Sequence, residues 1–410
     1  MAKFFAHNAI LYYLWGIKFN EIMKKQVLLL IILLVGSFAA MACTSAIISG
    51  KKTVSGRPLL WKHRDTGCLD NRVELIKAHD DCYEFVAIFD ATDPNDTAAW
   101  TGFNEMGFAI MNTASYNLNN DDVPESEMDR EGVVMKLALE HCVTVNDFEK
   151  LLQSLPKPMG VEANFGVIDR YGQGAYFETG NYTYKKYDLA DAPDGVLMRT
   201  NYSYSGRPDE GYGYVREASE KYLLAPHIEA GDFTPAVFTE EVSRTFYHSL
   251  LGKDFTNSGE EWLVDQDFIP RRISTASIVI EGIERGEPPV LTTMWIALGY
   301  PPCAETFAAR VEVAGGVPEV LKGTGENHHS PQCDIVRARH AEVFSIERGN
   351  GQHYLNLRKL YNEEGTGYCQ QLVKKNMFMY KQEYQKRAMK KEYFKIRYDK
   401  NHNKSGRRRQ

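Results

Sequence analysis

The sequence predicts an α+β fold built on antiparallel sheets, and three observations carry that prediction. Its apolar segments are mostly short, alternate in polarity and end in turn residues, as half-buried strands do. They follow one another in pairs instead of alternating with helices, which excludes a βαβ rhythm. Helical spacing is confined to a few blocks grouped between and after the strands. A chain of 410 residues with 43% hydrophobic and 25% charged residues is a globular protein, which excludes a disordered, collagen-like or small disulfide-stapled class.

The first block is different. Lys24-Lys25, then QVLLLIILLVGSFAA, then Met41-Ala42 gives a charged start, an apolar centre and a small-residue exit, Ala40-Met41-Ala42. That is the pattern of a cleaved export signal. Counted from Val27 to Ala42 the stretch is 16 residues, short of the roughly 20 that cross a bilayer. Residues 1–42 are therefore expected to be a targeting segment, with Met23 a natural start, and the mature chain is expected to be exported, periplasmic or extracellular. An uncleaved anchor is the alternative. Cleavage after Ala42 makes Cys43 the first residue.

Along the remaining chain, CTSAIIS and PLLWKHRD form two short strands about a Gly50-Lys51-Lys52 turn. VELIKA, YEFVAIFD, AAWTGF and FAIMNTAS continue the strands through 73–115. A polar loop (117–130) precedes VVMKLALEHC, which has helical spacing, and DFEKLLQSL, which Asn146 or Asp147 can cap. ANFGVIDR, the hairpin turn YGQG, GAYFETG and GVLMRTNYS read as adjacent antiparallel strands. Residues 214–251 read as helix broken near Pro226 and Gly231, STASIVIEGI and VLTTMWIAL as strands about ERGEPP, and 333–365 as mixed with helix. With no Gly/Ser-rich or Pro-rich linker between 43 and 330, one catalytic domain over 43–370 is expected.

Charge separates the ends from the body. Residues 1–42 carry four basic and one acidic side chain, and 371–410 carry fourteen and three, which leaves residues 43–370 at −20 of a total of −6. An acidic body repels phosphate backbones, so no nucleic-acid partner is expected. The basic tail, 371–410, reads as a helical or disordered segment. No Walker loop, dinucleotide fingerprint or paired metal-ligand spacing is present; His328-His329 with Cys333 lacks a second ligand pair, so neither metal nor cofactor is expected. Beyond Cys43 the six cysteines are even in number; Cys68 and Cys82 are a candidate local bridge, and Cys142 a candidate buried thiol.

A cysteine at a chain terminus carries a nucleophile and a base on one residue: its α-amine titrates at about 7.7–8, so its neutral form takes the thiol proton near neutrality. Asp65 and Lys62, at the end of the second strand, are placed to return beside Cys43. Asp65 can hold the α-ammonium, and Lys62 or Arg64 can favour the thiolate. Asn104 and Asn201 are uncharged amide donors of the kind an oxyanion site uses.

These residues lie in an ordered series, CTSAIIS…WKHRD, GFNEMGF, ANFGVIDRYGQGAYFE, RTNYS and RRISTASIVI, spanning about 43–310. The series resembles the N-terminal-nucleophile (Ntn) amide hydrolases, in the choloylglycine hydrolase and penicillin V acylase group and the acyl-CoA:6-aminopenicillanate acyltransferase-like C45 group. The resemblance implies a four-layer αββα sandwich of two antiparallel sheets, and cleavage of a small linear amide through an acyl-enzyme. It implies Cys43 as nucleophile, Asp65 as its polar partner, Asn104 at the oxyanion site, Asn201 as a second amide of the pocket and Arg272, chosen over its neighbour Arg271, as the nearby arginine. Asn164 and Glu178 are supporting candidates. Lys62 stands where the bile-salt enzymes have arginine, which keeps the charge and loses the planar fork. A non-enzymatic surface lipoprotein, lipidated at Cys43 and binding peptides or amphiphiles, is the contrasting reading; Ala40 is a poor match to the aliphatic residue such a signal favours.

Overall fold

The computed structural model describes residues 42–406, with side chains through Phe394. Nearly all of the segment expected to be a targeting signal lies outside the described residues. In chain order the main strands are β1 (Thr44–Ile48), β2 (Leu59–Asp65), β3 (Asn71–Ile76), β4 (Phe85–Asp90), β5 (Thr101–Asn104), β6 (Ala109–Ala114), β7 (Ala163–Ile168), β8 (Gly174–Thr179), β9 (Tyr184–Asp188), β10 (Val196–Arg199), β11 (Ser274–Glu281), β12 (Thr293–Leu298) and β13 (Thr306–Ala309). The longer helices are α1 (Glu131–His141), α2 (Val145–Ser154), α3 (Tyr214–Ala230), α4 (Pro331–Val343) and α5 (Tyr368–Gly406).

Two large antiparallel sheets result, as the strand pairing in the sequence predicts. One is a seven-stranded meander in which β3 to β9 lie side by side in chain order. The other has six strands in the order β10-β1-β2-β11-β12-β13, so it joins segments far apart in sequence. Alternation along each strand gives each sheet two apolar faces. Ile47, Leu60 and Ile278 of the six-stranded sheet pack against Val86, Phe103 and Met111 of the meander. The meander's other face, including Phe85 and Phe165, is covered by Met135 and Leu139 of α1 and Phe148 of α2. The outer face of the six-stranded sheet, with Trp61 and Trp295, is covered by Leu224 of α3, Phe238 and Tyr380 of α5. The molecule is an α+β fold layered helix–sheet–sheet–helix.

Local chemistry accounts for the helix ends. Thr144, not Asn146 or Asp147, is the N-cap of α2, and Asp147 completes a capping box: Asp147 N donates to Thr144 Oγ1 at 3.0 Å and Thr144 N to Asp147 Oδ2 at 2.9 Å. α3 carries Pro226 internally and stops at Gly231, whose φ of 64° is the left-handed cap glycine tolerates. The helix expected over 214–251 therefore does not break at the proline. It is followed by one π-type turn, Val237–Val242, and then by a two-residue hairpin pairing Tyr247–His248 with Lys253–Asp254. The basic helix α5 docks on the body through buried contacts: Asn376 Nδ2 donates to Glu240 Oε2 at 3.0 Å and Arg387 Nη1 to Glu281 Oε2 at 2.7 Å. No helix among the described residues is long and apolar enough to cross a membrane. All seven cysteines are free, Cys68 and Cys82 included; Cys142 is buried, and burial pushes its thiol up to about 12.

Candidate active site

Cys43 immediately precedes β1. Continuing the register of β1 with its two neighbours by one step sets Cys43 between Arg64 of β2 and Asn201, just beyond β10. The residue is 3% exposed. Its N–H donates to Asn201 Oδ1 at 2.7 Å, its carbonyl accepts from Arg216 Nη1 at 2.5 Å, and its Sγ lies 4.0 Å from the Asp65 carbonyl oxygen. Every polar atom of the nucleophile candidate is thus held by a different segment of the chain.

On the side facing the meander stands Lys62, buried, with Nζ donating to Asn112 Oδ1 at 2.7 Å and to the Trp100 carbonyl at 2.9 Å. Burial pulls its ammonium down to about 8, opposed by the attraction of Cys43. On the side facing the helices stands Asp65, also buried. One carboxylate oxygen accepts from Ser274 Oγ at 2.6 Å and the other is paired with the Arg271 guanidinium. Arg271 Nη2 also donates to the Ala42 carbonyl at 3.2 Å, so one arginine spans Asp65 and the peptide bond entering Cys43.

Asn201 acts here as an acceptor. Its Oδ1 takes hydrogen bonds from Cys43 N and from Arg216 Nη2 (2.8 Å), while its Nδ2 donates to the Ala114 carbonyl at 2.9 Å. Two of the supporting candidates hold the segment that carries it. Asn164 Nδ2 donates to the carbonyls of Thr200 (3.3 Å) and Tyr202 (3.1 Å). Glu178 pairs with Arg199 Nε at 2.8 Å and accepts from the backbone N–H groups of Tyr204 (2.9 Å) and Ser205 (2.7 Å).

Two expected residues do not join this group. Asn104 Nδ2 donates to the carbonyls of Leu139 and Cys142, both at 2.8 Å, and its Oδ1 accepts from Met106 N and Phe108 N at 3.1 Å. Its amide closes the β5–β6 turn on the end of α1, with both Nδ2–H bonds given to backbone carbonyls, so the structure does not bring it into the group around Cys43. Arg272 is likewise displaced by Arg271. The backbone N–H of Arg272 is held by Asp265 at 2.5 Å, and it is the guanidinium one residue earlier that reaches Asp65.

Residues that the sequence reading did not assign complete the site. Arg216, near the start of α3, binds the Cys43 carbonyl, Thr44 Oγ1 (2.9 Å) and Asn201. Burial and the neighbouring Arg271 lower its guanidinium to about 10, opposed by Asp65 and Cys43. Its signal was the pair of glycines before it: Gly213 has φ of 96°, and a Cβ there would sit 2.5 Å from Arg216 Nη2. His63 and Ser274 lie behind Asp65 and carried no motif of their own.

No protein-family model matches the chain. Among solved structures it is similar to a variant of conjugated bile acid hydrolase from Clostridium perfringens (11% identity, 67% of this chain and 93% of that one, TM-score 0.39). It is also similar to penicillin V acylase from Agrobacterium tumefaciens (12%, 66% and 86%, TM-score 0.38). A third likeness is the Caenorhabditis elegans ortholog of N-acylethanolamine-hydrolyzing acid amidase (11%, 58% and 92%, TM-score 0.36). All three are distant likenesses.

Proposed function

We propose that the protein is an exported N-terminal-cysteine amidase or acyltransferase that cleaves a small linear amide through an acyl-enzyme on Cys43. The observation that carries this reading is the hold on Cys43 by three segments: Asn201 on its nitrogen, Arg216 on its carbonyl and the Asp65 carbonyl facing its thiol, with the charge of Lys62 acting on that thiol. Loss of residues 1–42 turns the Cys43 N–H into an α-amine facing the Asn201 acceptor. The neutral amine takes the thiol proton, and the thiolate attacks the amide carbonyl. Lys62, with its ammonium at about 8, is still largely charged at pH 7 and offsets the negative charge on sulfur and then on the tetrahedral oxygen. The α-ammonium gives its proton to the leaving nitrogen as the C–N bond breaks, which leaves a thioester and a free amine. Water, deprotonated by the same α-amine, releases a carboxylic acid; a second amine in its place makes the reaction a transfer.

Burial of Cys43 supports this reading over the lipoprotein, because a lipid-bearing Sγ has to reach out of the fold to a membrane, whereas Cys43 is 3% exposed with Sγ turned to the Asp65 carbonyl. The intact mass of the exported protein tests the point: an unmodified N-terminal Cys43 is expected, and a lipid adduct sinks the enzyme. Against a panel of N-acyl amino acids, conjugated bile salts and penicillin V, Cys43→Ala is expected to lower amide cleavage to background while circular dichroism stays native. Undiminished turnover by the folded variant would refute the mechanism.

A further inference from the structure

Two irregularities in the backbone converge on one histidine. His63 lies on β2 on the same side as Trp61 and Asp65, and it is fully buried. The pairing of β2 with β11 runs Ser277↔His63 and Ala276↔Arg64, then slips so that Ser274, not Thr275, faces Asp65. This bulge turns Ser274 onto the face that Ser277 already occupies, the re-aiming that bulges perform. Independently, the π-type turn Val237–Val242 closes with Ser243 N donating to the Phe238 carbonyl at 3.0 Å, and it lowers Ser243 onto the other edge of the imidazole. Ser274 Oγ lies 2.8 Å from His63 Nε2 and Ser243 Oγ lies 3.1 Å from Nδ1.

Counting protons orients the ring. Ser243 donates its hydroxyl to Ser277 Oγ at 2.7 Å, where the Trp61 indole N–H also ends at 3.1 Å. Ser243 therefore accepts from His63, and Nδ1 carries the proton. The charged groups facing the ring are Asp65 on its own strand, Arg271 ahead of β11 and Arg216 on α3; burial outweighs the attraction of Asp65 and lowers the imidazole to about 4, so it is neutral. Its bare Nε2 then requires a donor. Ser274 already accepts from Arg271 N at 2.9 Å, and it has one hydroxyl proton to divide between Nε2 and Asp65 Oδ1 at 2.6 Å.

We propose that His63 is a positioning residue for Asp65: by competing for the single Ser274 proton, it sets how much of the Asp65 charge is left to hold Arg271 beside Cys43. The proposal rests on reading Asp65 as the partner of Cys43. Other groups acting on Asp65 are Lys62, Arg216 and Tyr300, and none of them depends on Ser274.

The unmodified, processed protein gives the first test. Nitrogen-15 NMR of the His63 ring between pH 5 and 8 is expected to show protonated Nδ1 and bare Nε2; a neutral Nε2–H ring or an imidazolium overturns the proposal. The second test compares two variants. His63→Leu frees the Ser274 proton for Asp65 and is expected to move the carboxylate's protonation midpoint to lower pH. Ser274→Ala removes the donor and moves it to higher pH, while His63→Gln, which keeps an acceptor for Ser274, stays near the parent. Midpoints that move together, or do not move, overturn the relay, since a loss of packing alone gives no opposed signs. Turnover tests the underlying reading separately: His63→Leu is expected to lower kcat about tenfold at unchanged KM, with recovery in His63→Gln. Opposed midpoints with unchanged kcat would leave the relay standing and remove Asp65 from the reaction.

Discussion

The two sheets reach similar size by opposite routes. The meander joins seven strands in chain order, and its outer face is sealed by α1 and α2 with aromatic and aliphatic side chains. The six-stranded sheet brings residues 44–48 and 59–65 between segments near 196 and 274. The polar core of the candidate site gathers on the second sheet and its borders: Asp65, Arg271, Arg216, Asn201 and His63. That sheet also contains the register slip. Regular local pairing fills space, whereas irregular long-range pairing brings charged and polar side chains around one residue, Cys43, and the two sheets should respond differently to substitution.

The largest contrast is expected at Asp65. Asp65→Asn leaves the Arg271 guanidinium without its counter-charge, which costs about 3–5 kcal/mol of stability. In the folded fraction it should also lower kcat about 100-fold on the proposed mechanism, because it loosens Arg271 beside Cys43. Phe148→Ala serves as its counterpart behind the meander. Phe148 makes edge contacts with Phe165 and Phe177, with ring centroids 5.7 and 5.2 Å apart, and its loss should cost about 3–5 kcal/mol by urea denaturation. The folded fraction should keep parental kcat; a fall comparable with that of Asp65→Asn would erase the distinction between the sheets.

Acid gives a smaller effect. Burial holds His63 and His340 neutral down to about 4. The unfolded chain takes up these protons from about pH 6.5, so the contribution is full above that value and is lost as pH falls to about 4. The shift corresponds to on the order of 3 kcal/mol for each ring. Glu131, at the start of α1, behaves oppositely: burial raises its carboxyl to about 7, so its contribution is full at low pH and falls as pH rises through that value. Denaturation midpoints at pH 4.5, 6 and 8 should show both slopes, and His340→Gln should flatten the acid one. Smallest of all is Arg272→Ala, for which the backbone contact to Asp265 survives. Turnover should stay within about twofold of the parent, since among the described residues no hydrogen bond joins the Arg272 side chain to Cys43 or Asp65 and its Nε has no hydrogen-bond partner. A loss matching that of Asp65→Asn would restore Arg272 to the site.

The same contrast explains what could be read from the sequence. Strands β3 to β8 were legible because alternation and turn residues are local, and the meeting of Cys43, Asp65 and Asn201 because an ordered motif series carried all three. β9, whose sequence YKKYD is half-buried and charged, left no alternating apolar signal, nor did the short β13. That Asn104 stands apart from that group was not legible, because a turn asparagine and an oxyanion asparagine look alike until the partners of the amide are known. Choosing Arg272 over Arg271 depended on which of two adjacent side chains turns inward beside a bulge, and Arg216 on a helix 173 residues from Cys43. These are facts of tertiary placement that no periodicity encodes.

The order of strands also has a consequence in time. Contacts between neighbours in sequence close over short loops and form fast, whereas β10-β1-β2-β11 must bring together segments up to about two hundred residues apart, which topology makes slow. The meander can assemble as a template before the far strands arrive. The contacts of Cys43 with Asn201, Arg216 and Asp65 then exist only once the last long-range pairing is made, so a partly folded chain holds the thiol without its native surroundings.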